Sequence, residues 1–203
     1  MTAATLYLAS RSPRRRELLA QIGVRFTLLS FRAGTREDAE TDETPLAGEA
    51  ADAYARRVAL AKALQGQRLI GLRQLPQYLL LAADTTLDCD GEIVGKPSDH
   101  LEAAAILRRL SGRTHRVLTA VAVASPERVE CVISDSEVRF RTLSDDEIHR
   151  YVASGEPMDK AGAYGIQGRA AIFVEQIRGS HSGIVGLPLC ETACLLRDFG
   201  YPI

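Results

Sequence analysis

With 203 residues, 46% of them hydrophobic and 25% charged, the chain has the make-up of an ordinary globular protein and is long enough to bury a core without disulfide staples. Its 25 basic and 26 acidic side chains leave a net charge of −1, so no overall field gathers nucleic acid and any anion site has to be local. No apolar run reaches the roughly 20 residues that cross a bilayer, residues 1–10 lack the features of a secretion signal, and Cys89, Cys131, Cys190 and Cys194 match neither a disulfide framework nor a zinc spacing, which together predict a soluble, cytoplasmic protein without membrane or nucleic-acid partners, its cysteines serving as small buried hydrophobes.

Leu6 to Ala9 reads as a short buried strand. It runs into Ser10-Arg11-Ser12-Pro13 and a helical pattern from Arg14 to Ile22, with Ser12 placed to cap it, Pro13 at its first position and Gly23 at its end. A strand over Arg25 to Ser30 leads into a polar loop from Phe31 to Gly48. An alanine-rich helix is predicted over Ala47 to Leu64, then an apolar strand over Gln77 to Ala83. Asp90-Gly91 marks a hairpin turn between Thr86 to Cys89 and Glu92 to Gly95. Leu101 to Leu110 is helical, and Thr114 to Ala124 and Val129 to Arg141 alternate as a long antiparallel pair around Ser125-Pro126. Ser144 opens a helix to about Ala153, with Glu147 completing a capping box, and Gly155 and Pro157 stop it. A glycine-dotted stretch from Ala161 to Gly168, a strand over Ala170 to Ile177 and a helix from about Leu189 to Phe199 close the chain. No repeat or low-complexity linker divides residues 1–203, so a single α/β domain with a mixed sheet is expected.

Four places could carry chemistry. The segment from Ser10 to Arg16 joins hydroxyls and guanidinium groups to the free N–H groups of a helix start, which suits a phosphate; a solvated basic helix end is the plainer reading. Asp84 follows an apolar strand, where ligands of α/β sheets tend to sit, and could take a proton from water, hold Mg²⁺ or simply cap local backbone. Lys62 and Lys96 are cations that mean little singly. Tyr164 and Gln167 lie among glycines, where an aromatic could stack on a base and an amide could read its edge, or the stretch could be a tight connection around a buried tyrosine. The dispersed histidines at 100, 115, 149 and 181 form no metal pair, and Ser10 has no triad context.

Taken in order, S-R-S-P-R-R-R-E-L-L from Ser10, A-D-T-T from Ala83, G-K-P from Gly95, A-G-A-Y-G-I-Q-G from Ala161 and V-G-L-P-L from Val185 resemble the Maf family, the septum-formation-type nucleotide pyrophosphatases. The resemblance implies an elongated mixed β-sheet flanked by helices, in two lobes around a nucleotide cleft, of the Maf/ITPase-like kind. It also implies a homodimer, dependence on Mg²⁺ or Mn²⁺, and hydrolysis of a nucleoside triphosphate to the monophosphate and pyrophosphate. Carried over by motif, Asp84 is the proton acceptor, and Ser10, Arg14, Arg15, Lys62 and Lys96 bind phosphate. Arg14, Thr85 and Gln167 resemble the specificity set of the dTTP/UTP branch, against a 7-methyl-GTP branch with other residues there. House-cleaning of modified pyrimidine nucleotides, or regulation of septum formation by protein binding, are the alternative roles. One departure concerns metal: many members carry an acidic pair after the second strand, whereas here Arg32 to Arg36 precede Glu37-Asp38, so the metal ligands stay open, with Asp84 one candidate.

Overall fold

The computed structural model describes residues 5–30 and 41–203, so most of the expected loop from Phe31, and with it Glu37-Asp38, lies outside the described residues. The chain enters through β1 (Leu6–Leu8), whose three side chains are all buried because it lies between two parallel neighbours, β2 (Phe26–Leu28) and β3 (Leu79–Cys89). Between β1 and β2 runs α1 (Pro13–Gln21), which starts as the sequence predicts, with Pro13 at the position where a missing N–H costs nothing. The Ser12 side chain makes no capping bond; its N–H instead donates to Ser10 Oγ at 3.2 Å.

The next helix, α2 (Ala51–Leu72), is longer than the sequence reading, which ended it at Leu64. Ala55, Ala59 and Ala63, spaced i, i+4, form a low ridge packed with Leu80 and Ala82, and Leu69 and Ile70 extend that buried face for two further turns. Gly66 lies inside the helix because the sheet is too close for a side chain: a Cβ there would fall 2.3 Å from Leu80 Cδ1 and 3.3 Å from Leu29 Cδ2. Gly66→Ala is therefore expected to lower stability by about 1–3 kcal/mol through overpacking, although alanine has the better helix propensity, as read from a urea denaturation midpoint.

β3 also differs from expectation. The sequence predicts two strands, Gln77 to Ala83 and Thr86 to Cys89, whereas β3 is one strand that runs unbroken through Asp84 and Thr85. The reason is its partner: β5 (Thr114–Ala124) pairs antiparallel with it from Leu80↔Ala124 to Asp88↔Arg116, satisfying the backbone on both sides of the acid. β4 (Glu92–Val94) folds back on β3 across the Asp90-Gly91 turn as read. α3 (His100–Leu110) follows, capped by Asp99, whose side chain accepts from Glu102 N–H. β5 and β6 (Val129–Phe140) keep an unbroken register from Thr114↔Arg139 to Ala124↔Val129. α4 (Asp145–Val152) carries the Ser144/Glu147 capping box in full.

After the 3₁₀ turns of 156–163, residues 169–173 form another such turn, so β7 (Val174–Arg178) begins later than the expected strand from Ala170. Glu156 accounts for this by accepting the Arg169 N–H at 3.1 Å and tying that segment to the turns instead of to β6. A short helix not foreseen, α5 (His181–Val185), is capped by Ser180, and α6 (Leu189–Asp198) closes the chain. Among the described residues the strands form one mixed seven-stranded sheet in the order β2-β1-β3-β5-β6-β7, with β4 off β3 and helices flanking it. Of the cysteines only Cys89 is buried; Cys131 is half-buried and Cys190 and Cys194 are exposed, which corrects the expectation of four buried thiols.

Candidate active site

β1 ends at Leu8, and Ala9 N–H still donates to Leu81 O at 2.9 Å, but β3 continues beyond that point. The step between the two strands opens a cavity of about 710 Å³ above the start of α1. Ser10, Arg14, Arg15, Lys62, Asp84, Thr85, Lys96 and Gln167 all line it, so residues spread from position 10 to position 167 share one space. Its size suits a nucleotide-sized ligand.

Asp84 is 6% exposed, in mid-strand and not at a strand end. A carboxylate so placed needs a counter-charge. Lys62, reaching from α2, provides it: Nζ lies 2.8 Å from Asp84 Oδ1 and also 2.8 Å from Glu43 Oε1. One ammonium thus bridges two carboxylates.

Glu43 was not singled out in the sequence, being hidden in a long polar stretch, although Asp42-Glu43 is the kind of acidic pair sought at Glu37-Asp38. Its segment is clamped to α2. Tyr54 Oη donates to Glu43 O at 2.9 Å, and Arg57 donates to Asp42 O at 3.3 Å and to Thr44 O at 3.0 Å. Burial, then the charges of Asp84 and Glu43, push the Tyr54 phenol up to about 12, so it remains a donor.

Arg15 is held on two edges. Its Nε donates to Gly186 O at 2.8 Å, Nη1 to Ser10 Oγ at 3.3 Å and Nη2 to Thr85 Oγ1 at 3.1 Å. A guanidinium has five N–H groups, so two remain for a ligand. Gly186 sits at φ 130°, a conformation glycine tolerates, which points its carbonyl at Arg15. Burial lowers the Arg15 pKa and the Asp84 carboxylate raises it again, and a guanidinium stays charged under both.

Arg14 faces the other wall, 3.7 Å from Asp159 Oδ2. Burial works to raise the Asp159 carboxyl, but the Lys160 hydrogen bond and the charges of Lys160 and Arg14 outweigh it and hold it low. Lys96 and Gln167 are exposed at the rim. Tyr164, by contrast, is not a free stacking platform: it is buried, its Oη lies 2.8 Å from His115 Nε2, and its ring packs edge-on against Phe140 at 4.7 Å. For Tyr164 the plainer reading, a buried tyrosine in a tight connection, is the one observed, while Gln167 of the same stretch lines the cavity.

Burial also pushes the His115 imidazole down to about 4. An unfolded histidine protonates near its ordinary value of about 6.5, so between these values the unfolded state binds more protons and stability falls as pH drops. Urea midpoints at about pH 7 and about pH 5 are expected to differ more for the parent than for His115→Gln, which cannot titrate. Equal losses in both would place the acid sensitivity elsewhere.

Residues 5–199 match the family described as Maf-like protein. The chain belongs to this family. The Maf-like chain is 64% identical over 201 residues to a protein named dTTP/UTP pyrophosphatase from Aromatoleum aromaticum, covering 98% of each. It is 61% identical over 196 residues to one of the same name from Dechloromonas aromatica, covering 97% of this chain and 98% of that one. Among solved structures, the Staphylococcus aureus Ham1 protein superposes with a TM-score of 0.53 at 13% identity, over 96% of this chain and 99% of that chain, a likeness of fold.

Proposed function

We propose that this Maf-like protein, acting as one domain over residues 1–203, hydrolyses dTTP and UTP to the nucleoside monophosphate and pyrophosphate. The observation that carries the reading is the convergence on one cavity of a buried carboxylate, Asp84, and the cationic groups Arg14, Arg15, Lys62 and Lys96. The relatives named for this activity, similar over nearly their whole length, support it.

In this reading the two N–H groups left on Arg15, with Ser10, Arg14 and Lys96, bind the triphosphate chain. Lys62 takes Asp84 Oδ1, which leaves Oδ2 to accept a proton from water. The water oxygen attacks the α-phosphorus, the bond from that phosphorus to the oxygen bridging to the β-phosphate breaks, and pyrophosphate leaves with both electrons of that bond. The cations on its oxygens stabilise the charge that develops. Glu43 and Asp84 carry the oxygen donors that a hard cation such as Mg²⁺ or Mn²⁺ takes, but the point on which they converge is held by the Lys62 ammonium. Among the described residues no group of three or more His, Cys, Asp or Glu side chains is placed to hold a metal, so phosphate oxygens would have to complete the set. When bound, such an ion would neutralise phosphate charge. Arg14, Thr85 and Gln167 are proposed as the residues that favour a pyrimidine. A homodimer follows the family resemblance, and a cytoplasmic location with neither membrane nor nucleic acid as partner follows the composition and the net charge of −1; among the described residues no helix is long and apolar enough to cross a membrane.

Pyrophosphate release is measured from dTTP, UTP, 7-methyl-GTP, 5-methyl-UTP and the standard purine triphosphates with Mg²⁺ or Mn²⁺. Selective release from the pyrimidines is expected. Preference for 7-methyl-GTP would overturn the pyrimidine assignment, and silence across the panel would overturn the enzyme in favour of a binding protein.

A further inference from the structure

Thr119 lies on β5 directly opposite Thr85 in the sheet register and is fully buried. It was not singled out in the sequence, and it does not line the cavity. Its hydroxyl donates to Gly183 O at 2.8 Å, and the two threonine hydroxyls are 2.9 Å apart. A hydroxyl has one proton. Because that of Thr119 is committed to Gly183, the proton between the threonines belongs to Thr85. Thr85 in turn accepts from Arg15 Nη2 at 3.1 Å. The direction of the whole chain is therefore fixed: Arg15 N–H to Thr85 O–H to Thr119 O–H to the Gly183 carbonyl.

The chain also closes on itself. Gly183 is in α5, and Gly186, just past the end of that helix, accepts from Arg15 Nε at 2.8 Å. One edge of the guanidinium is held by this segment directly and the other through the two threonines. The segment is itself secured, with Ser180 Oγ accepting from Gly183 N at 3.0 Å and Ser136 Oγ accepting from Ser180 N at 2.9 Å. Such a ring fixes the plane of the guanidinium, and each bond polarises the next. A planar donor fork gains from a fixed plane more than a point charge does, because two parallel bonds must meet two phosphate oxygens.

We infer that Thr119 is a positioning residue for phosphate binding, acting through Thr85 to set the orientation of Arg15. The inference rests on the phosphate-binding role of Arg15 in the proposed function. It also adds to the part proposed for Thr85: with its proton given to Thr119 and a lone pair to Arg15, its hydroxyl orients the phosphate-binding guanidinium beside its place in the cavity lining.

The test uses pyrophosphate alone, measured by calorimetry well below the melting temperature, in the parent, Thr119→Val, Thr119→Ser and Thr85→Val. Thr119→Val keeps the shape of the side chain and removes the hydroxyl. Its pyrophosphate affinity is expected to fall about tenfold, the size of a weakened charge-assisted hydrogen bond, and Thr119→Ser is expected to restore it. Thr85→Val cuts the same chain from the other side, so adding Thr119→Val to it should weaken binding no further. With a pyrimidine triphosphate as substrate, the loss is expected in KM more than in kcat. A lower melting temperature with unchanged pyrophosphate affinity, or additive losses in the double variant, would make Thr119 a structural residue only and overturn the inference. A parent that binds no pyrophosphate overturns it as well. A parent that binds pyrophosphate but cleaves no pyrimidine triphosphate overturns the proposed activity while leaving the orientation of Arg15 supported by the binding data.

Discussion

Asp84→Asn is expected to lower turnover of dTTP and UTP by about 10²-fold or more, the usual reach of a general base, with a much smaller change in KM. Asparagine is nearly the same shape and keeps an oxygen for Lys62, and the backbone of β3 stays paired to β5 on either side. What disappears is the charge that would accept the proton of the attacking water. The fold should tolerate the change, since Lys62 keeps Glu43 at 2.8 Å as a counter-charge. Initial rates across a substrate series, with urea denaturation alongside, separate the two effects. Unaltered turnover would remove Asp84 from the chemistry. Partial recovery on raising Mn²⁺, together with a weakened Mn²⁺ affinity by calorimetry, would assign the carboxylate chiefly to holding the cation.

Arg15→Lys is expected to lower kcat/KM by about 10²–10³-fold, the scale on which a preorganised donor to developing charge is lost. Charge is conserved in this variant, so any loss belongs to geometry. Arginine serves Gly186 O, Ser10 Oγ and Thr85 Oγ1 and still has two N–H groups to offer. A lysine has three donors on one atom and cannot meet three acceptors on two sides while also reaching a phosphate. Acceptors left without a donor should also lower stability by about 1–3 kcal/mol. A loss of stability with kcat/KM unchanged would show that Arg15 only braces the loop after α5.

Much of the secondary structure was legible because its signals are local. Ser12-Pro13 marked the start of α1, Ser144 and Glu147 the capping box of α4, and Asp90-Gly91 the turn between β3 and β4. The alternation in β5 and β6 located the long antiparallel pair, which needs only the period-two pattern of a strand. Where a distant partner overrides local preference, the reading failed. The helix expected to end at Leu64 runs on past Gly66, where the sheet comes close, and Asp84, expected just past a strand end, is carried through by β5.

The sequence by itself determined which motifs are present and singled out eight of the residues that line the cavity, though not Glu43 or Tyr54, which line it as well. Only the tertiary structure decided how they are paired. Lys62 meets both Asp84 and Glu43, and Arg15 is aimed by Gly186 and by the two threonines. The physical reason is that a motif records side-chain type along the chain, whereas a hydrogen bond across 171 positions, such as that from Arg15 to Gly186, depends on strand register and helix packing. The same limit explains Thr119. Nothing beside it in the sequence distinguishes it, and only its place opposite Thr85 across the sheet brings it into contact with the group that holds Arg15.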